Sequence, residues 1–394
     1  MPVYFEKSTP ARTDAAAHVE PINLQKITST LAKTAAEYDR SGSFPHKNFQ
    51  FLQSHGVIGL QAARELKGNP LSLDEARQVI AAIARGEPST ALILIMTWLF
   101  GIQVARNPHW PEVLRLHVLQ DIVSNGALAN ALRAEPALGT PVRGGLPDTI
   151  AQRVDGGWLI SGHKLYSTGI SGLKWLSVWG RTDDTEPLVG MFLVPGDSPG
   201  IRIVETWDQL GMRATGSHDA IFEKVFIPAE YAVDIRTPKG WEDERDSHQF
   251  TWMMVLLSTL YDAIARNARD WLVQFVAARA PSNLGAPLST LPRFEEALGK
   301  LDAILFSNTA LLDRAVAANG DIPPVESNFI KHIVTNNAIK VTELSISLVG
   351  NPALSRANPL ERHHRDALCG RVHSPQDDTI LSTAGRFAFA TLAK

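Results

Sequence analysis

From Phe250 to Arg279 the chain runs for roughly 30 residues without a proline or glycine, and this stretch constrains the fold more than any other. Such a run predicts one long helix. Leu291–Ala318 and Phe329–Leu348 carry two more long helical patterns. Pro292 suits the opening turn of the first, where its missing N–H costs nothing. Leu301, Ile304 and Leu311–Leu312 supply one apolar face; Ile330, Ile333, Val341 and Leu344 supply another. Helices of these lengths pack as a bundle of antiparallel neighbours.

The rest of the chain has a different texture. Up to about Leu119 it reads helical, with Leu24, Ile27, Leu31 and Ala35 at helical spacing and acids opening a helix at Asp74–Glu75. From Asp121 to Tyr231 it breaks into short segments rich in β-branched and apolar residues. Asp155-Gly156-Gly157 between Thr149–Val154 and Trp158–Ser161 is a hairpin signal. The expectation is an α+β protein: an N-terminal helical domain (1–120), a small middle β-barrel or sandwich (121–235) and a C-terminal helical bundle (236–394). Hydrophobic residues at 44% and a net charge of -3 fit a soluble chain without a nucleic-acid partner. Cys369 is the single cysteine, so no intramolecular disulfide forms. Met1–Ala17 lacks the apolar core of a signal peptide. The apolar stretch Ala91–Ala105 is shorter than about 18 residues and holds Thr97 and Gln103, which predicts a buried helix rather than a membrane span. These features place the chain in the cytoplasm.

Four motifs are sharper. Leu210-Gly211-Met212-Arg213-Ala214-Thr215-Gly216-Ser217, followed by Ile221–Glu230, resembles the LGMRAT…FEDVRVPAE signature of the acyl-CoA dehydrogenases. Ala134–Thr140 resembles the family's TEPGAGS segment, and Gly162–Thr168 with Trp175 resembles GxKxWIT with its following Trp. Glu361–Asp366 resembles ERxxRD. The resemblance implies the three-part fold just described, with a four-helix bundle at its C-terminal end, and a bound FAD, with FMN as the variant. It also implies a homodimer or homotetramer in which a neighbouring subunit helps hold the cofactor.

The resemblance assigns roles residue by residue. Tyr166 takes the place of the Trp on the flavin ring, and Thr168 that of the hydroxyl at its N5/O4 edge. Ala134, Gly139 and Thr140 fall in the phosphate-side segment, where Gly lets backbone approach. Arg279 matches the Arg of RxxFG, but the following loop is longer and Leu284 replaces Phe. The family's Gly-Gly pair becomes Gly350-Asn351, and Gln376 stands where its C-terminal EGT has Thr. Ser217, and Thr97 from the apolar helix, are taken as substrate-facing.

The family's catalytic Glu is absent from both of its known places. One place holds Ser374, beside His373. The other lies near Thr251; Glu242 and Glu244, about two turns earlier, are the acids that would serve as base in a dehydrogenase. Arg371–Pro375 resembles the corresponding stretch of the reduced-flavin monooxygenases, a branch of the superfamily without that base. Those enzymes take reduced flavin from a separate reductase and use oxygen on aromatic or heteroatom compounds. They need a dry pocket and hydrogen-bond donors more than a strong base, and His373 can donate or act as an acid. The readings are therefore a monooxygenase, an acyl-CoA dehydrogenase, or a flavin- or CoA-binding protein without turnover. His363-His364 lacks a third ligand at metal-binding spacing, and no GxGxxG is present. Asp377-Asp378 is read as a cap for the last helix.

Overall fold

The computed structural model describes residues 23–62, 66, 71–138, 145–243 and 247–392. Among these residues five α-helices come first: α1 (Leu24–Ser41), α2 (His46–Ser54), α3 (Leu73–Gly86), α4 (Pro88–Arg106) and α5 (Glu112–Asn125). Their ends follow local chemistry. Ser72 and Glu75 form a reciprocal capping box at the start of α3. At α4, Glu87 accepts hydrogen bonds from Ser89 and Thr90 N–H, and Pro88 occupies the first turn. The window of α4 with the apolarity of a membrane span is 83% buried inside the protein, because α3 and the bundle pack around it.

Eight strands follow among the described residues: β1 (Leu128–Leu132), β2 (Ile150–Val154), β3 (Gly157–Lys164), β4 (Leu173–Thr182), β5 (Val189–Pro195), β6 (Ile201–Val204), β7 (Asp219–Pro228) and β8 (Ala232–Arg236). The expected small β domain takes the form of one eight-stranded mixed sheet, ordered β6-β7-β3-β2-β4-β5-β8. Strand β4 is its hub. One edge pairs antiparallel with β5; the other pairs parallel first with β1 and then with β2. The predicted hairpin joins β2 to β3, with Gly156 in the left-handed region at φ 74°.

The chain ends in helices α6 (Pro238–Asp243), α7 (Ser247–Ala278), α8 (Pro292–Ala317), α9 (Pro324–Val349), α10 (Asn351–Leu354), α11 (Leu360–Val372) and α12 (Asp377–Leu392). Helix α7 is the axle of a four-helix bundle with α8, α9 and α11, and it also touches α3 and α4. Leu301, Leu312, Ile330 and Val341 enter the core as expected. Ile333 and Leu344 do not: they lie exposed with Phe329 on the outer side of α9, because the inner side is taken by Val334, Ala338 and Val341.

Candidate active site

The loop after β3 brings Tyr166, Thr168 and Ser217 together. Tyr166 adopts φ 52°, a left-handed conformation unusual for an aromatic residue, and its ring is 62% exposed. The loop is pinned by Leu165 N–H to the Ala134 carbonyl (2.9 Å), Ser167 N–H to His218 O (3.1 Å) and Gly169 N–H to Thr215 O (2.9 Å). Asn130, which sequence reasoning missed, donates its side-chain amide to Thr168 O at 3.0 Å.

Three hydroxyls form a chain whose direction can be derived. Thr215 donates to Met212 O at 2.9 Å. A hydroxyl has one proton, so Ser217 donates to Thr215 Oγ1 (2.8 Å) and Thr168 donates to Ser217 Oγ (3.0 Å). Thr168 therefore presents lone pairs, not a proton, to anything bound against it.

The neighbouring motif residues serve as clamps. Lys164, fully buried, donates to Glu135 Oε1 at 2.5 Å and to the Trp179 carbonyl. Glu135 also accepts from Asp148 N–H, Thr149 N–H and the Thr149 hydroxyl. Burial pushes the Glu135 carboxyl up, but Lys164 and these donors outweigh it and hold it below its ordinary range. Trp175 ties β4 to α5 through Asp121 at 2.8 Å.

The LGMRATGS segment docks on α11 and α1. Gly211 lies so close to the Arg365 carbonyl that a Cβ there would sit 2.3 Å from it. Met212 N–H donates to Asp366 Oδ1 at 2.7 Å. Arg365 forks onto Asp39 (2.7 and 2.8 Å), grips Glu361 and donates to Leu210 O. Burial raises the Asp366 carboxyl to about 7. Both signatures thus form a joint between the sheet and the helices.

His373 belongs to a separate network, just past the C-terminus of α11. Its Nδ1 lies 3.0 Å from the hydroxyl of Tyr261, a fully buried residue of α7. Burial raises Tyr261 well above its ordinary value, so it stays neutral. Its proton has no other acceptor among the described residues, so Tyr261 donates to Nδ1 and His373 carries its proton on Nε2. Burial, helped by Lys331, lowers His373 to about 4. Lys331, also buried, donates to Pro375 O at 3.0 Å and is pushed down to about 8 by burial. The Ser374–Pro375 bond is cis. Of the pair read as a cap, Asp378 accepts from Thr379 N–H at 2.8 Å, whereas Asp377 pairs with His332 Nδ1 at 3.1 Å and accepts from Asn336 at 2.8 Å.

Several expected residues sit elsewhere. Thr97 is buried, donating to Ala129 O (3.1 Å) and accepting from Ala129 N–H (3.2 Å). It thereby fixes β1 one residue before Asn130. Arg279 is exposed at the end of α7, and Gln376 opens α12 with its carbonyl on Ile380 N–H. Thr251 bonds Ser327 at 3.0 Å in the bundle core. Gly139, Thr140 and Glu244 lie outside the described residues, and of Glu242 only the backbone, in α6, is described.

Two family descriptions match: "Acyl-CoA dehydrogenase, middle domain" over residues 131–225 and "Acyl-CoA dehydrogenase, C-terminal domain" over residues 248–384. The chain is 30% identical over 379 residues to a protein of Bacillus subtilis named "Putative acyl-CoA dehydrogenase YdbM", covering 92% of this chain and 95% of that one. It is 26% identical to the L-evernosamine nitrososynthase of a Micromonospora strain, covering 89% and 85%. In fold it is similar to FMN-bound TdsC from Paenibacillus sp. A11-2, with TM-score 0.81, 19% identity and coverage of 92% and 96%.

Proposed function

The chain belongs to the acyl-CoA dehydrogenase superfamily of flavin-dependent oxidoreductases, and we propose that within it the protein is a monooxygenase that uses reduced flavin. One observation carries this reading. Where the resemblance looks for a carboxylate base, the chain has Ser374 beside a neutral His373, with Nε2–H left as a donor by Tyr261. An imidazole lowered to about 4 is a poor base for a carbon acid, but a serviceable hydrogen-bond donor to a polar oxygen species. The nearest described carboxylate along the chain, Asp377, is engaged by His332 and Asn336.

The residues fit a flavin. Tyr166 offers an exposed ring face, and Thr168 offers a rigidly directed acceptor at the same loop. An acceptor suits the N–H edge of a reduced flavin better than the bare N5 of an oxidised one. When bound, the flavin supplies the two-electron chemistry, either with oxygen or with a thioester. The chain's part is to hold the flavin edge at Thr168 and to present the Nε2 proton of His373, while the Met212–Asp366 bond ties the loop bearing Ser217 to α11. FMN and FAD both fit this reading, since the departures at Leu284 and Asn351 bear on the adenosine half alone. We further propose an aromatic or heteroatom substrate, a separate flavin reductase and a homodimer or homotetramer. The exposed apolar residues Phe329, Ile333 and Phe306 on the bundle support an oligomer.

The second reading, dehydrogenation of an acyl-CoA, is favoured by the 30% identity to YdbM. One experiment separates the two. Oxidised flavoprotein is mixed anaerobically with butyryl-CoA and dodecanoyl-CoA; reduced flavoprotein is then mixed with oxygen, following absorbance. No bleaching by thioesters, with oxidation by oxygen slower than that of free reduced flavin, is expected. Bleaching of the flavin by either thioester overturns the monooxygenase reading.

A further inference from the structure

Away from these residues a cleft of about 520 Å³ opens between α1, α3, α7 and the start of α11. Its polar wall holds Arg85, Arg269, Asp270, Arg362 and His363, with Trp271 as its aromatic side. Two of the three guanidinium groups are already neutralised: Arg85 by Asp270, and Arg269 by Asp302 at 2.8 Å. Arg362 is not. It makes no ion pair with a carboxylate among the described residues, and its Nε is buried without a hydrogen-bond partner. Asp366, one turn on, feels its field without pairing with it.

His363, 6% exposed, repeats the pattern, since its Nδ1 is buried and also unpartnered. Burial and Arg362 keep this imidazole neutral, with its pKa near 3. An orphaned cation and an orphaned ring nitrogen on one wall are costly unless something fills the space between them. Both lie in the first turn of α11, whose N-cap, Pro359, supplies no side-chain hydrogen bond. The unpaired N–H groups and positive end of that helix add to the attraction for an anion.

We propose that this cleft binds an organic phosphate, its phosphate accepting from Arg362, from the His363 ring as its Nδ1–H tautomer and from the start of α11, its organic part against Trp271. The one cation of the cleft left unneutralised among the described residues matches one anionic group. The volume exceeds what a bare phosphate fills and falls in the range of small-molecule sites. The inference does not depend on which reaction the flavin performs.

The test uses flavin-loaded protein in phosphate-free buffer, titrated calorimetrically with phenyl phosphate, inorganic phosphate and benzoate. The expected result is one saturable site per chain for phenyl phosphate, with inorganic phosphate weaker. Arg362→Gln should weaken phenyl phosphate roughly tenfold or more, since a charge-assisted fork is lost. Arg362→Lys, which keeps the charge but not the fork, should fall between, and guards against a folding defect in the Gln variant. Trp271→Leu should erase the advantage of phenyl phosphate over inorganic phosphate. Absence of saturable binding, or unchanged affinity in Arg362→Gln, overturns the site; benzoate binding as tightly as phenyl phosphate overturns the assignment of a phosphate.

Discussion

Replacing Ser217 by Ala tests the derived direction of the hydroxyl chain. In the parent, Ser217 Oγ is 3.0 Å from Thr168 Oγ1 and 2.8 Å from Thr215 Oγ1, which obliges Thr168 to spend its proton inward. Without Ser217 the Thr168 hydroxyl turns freely and can donate outward. Oxidised flavin, an acceptor at N5, then gains a hydrogen bond, whereas reduced flavin keeps the acceptor it already had. A neutral hydrogen bond contributes about 1 kcal/mol net, so the ratio of Kd for oxidised over reduced flavin should fall roughly fivefold. Loss of the two internal bonds should cost about 1–2 kcal/mol of stability. Thr215→Val should shift the ratio in the same direction, because Ser217 no longer has its obligatory acceptor and can donate to Thr168 instead. The assay is fluorescence titration of oxidised flavin, and anaerobic titration of reduced flavin, against both variants. A ratio unchanged within twofold, or one that rises, refutes the derived proton order.

Four further outcomes are expected. His373→Phe removes the Nε2 donor; in the proposed reaction the yield of hydrogen peroxide per reduced flavin should rise toward that of free flavin, measured by peroxidase coupling. Lys331→Met removes a charge that depresses His373, so the acidic limb in the pH profile of product yield should move upward from about 4. The depressed His363 and His373 contribute stability that is complete above the unfolded pKa of about 6.5 and is lost as pH falls through the folded values, about 3 and about 4. Urea midpoints should therefore fall between pH 6.5 and 4, and His363→Gln should flatten that slope. Lys164→Met leaves Glu135 charged and buried without its partner, which should cost about 3–5 kcal/mol by chemical denaturation; adding Glu135→Gln should recover part of it.

The three-part order was legible because its signals are long or locally strict: an unbroken helix without Gly or Pro, and a hairpin at Asp155–Gly156. Strands β1 and β8 were not read. Leu128-Ala129-Asn130-Ala131-Leu132 is as compatible with helix as with strand, and only its parallel seat on β4, set by residues more than 40 positions away in register, decides it. Tyr166, Thr168 and Ser217 were named from motifs, and the structure brings them into one loop cluster. The signature's Met212 and Asp366 were read only as part of a motif. Their contact across 154 residues of chain is a product of packing that no local pattern reports. Tyr261 and Lys331 escaped notice because a lone Tyr or Lys within an amphipathic helix looks ordinary until its burial is known. Ile333 and Leu344 misled in the opposite way: an apolar stripe on a helix says that something covers it, but not that the same chain does.

Gly370 gives α11 a fixed register. A Cβ there would meet both the Tyr261 ring and Thr335 at 3.1 Å, so α11, α7 and α9 approach one another at a point where there is no side chain. Sliding α11 by one residue would drive Cys369 or Arg371 into that gap, so the helix has no neighbouring position to occupy. It behaves as a keyed shaft roughly 20 Å long, at about 1.5 Å per residue over 13 residues. Force applied at the Arg362 end can tilt or twist it about the key but cannot ratchet it. His373 at the far end is therefore indexed to Tyr261 by steric registration as well as by a single hydrogen bond, and Gly370→Ala should misplace it even with every polar partner intact.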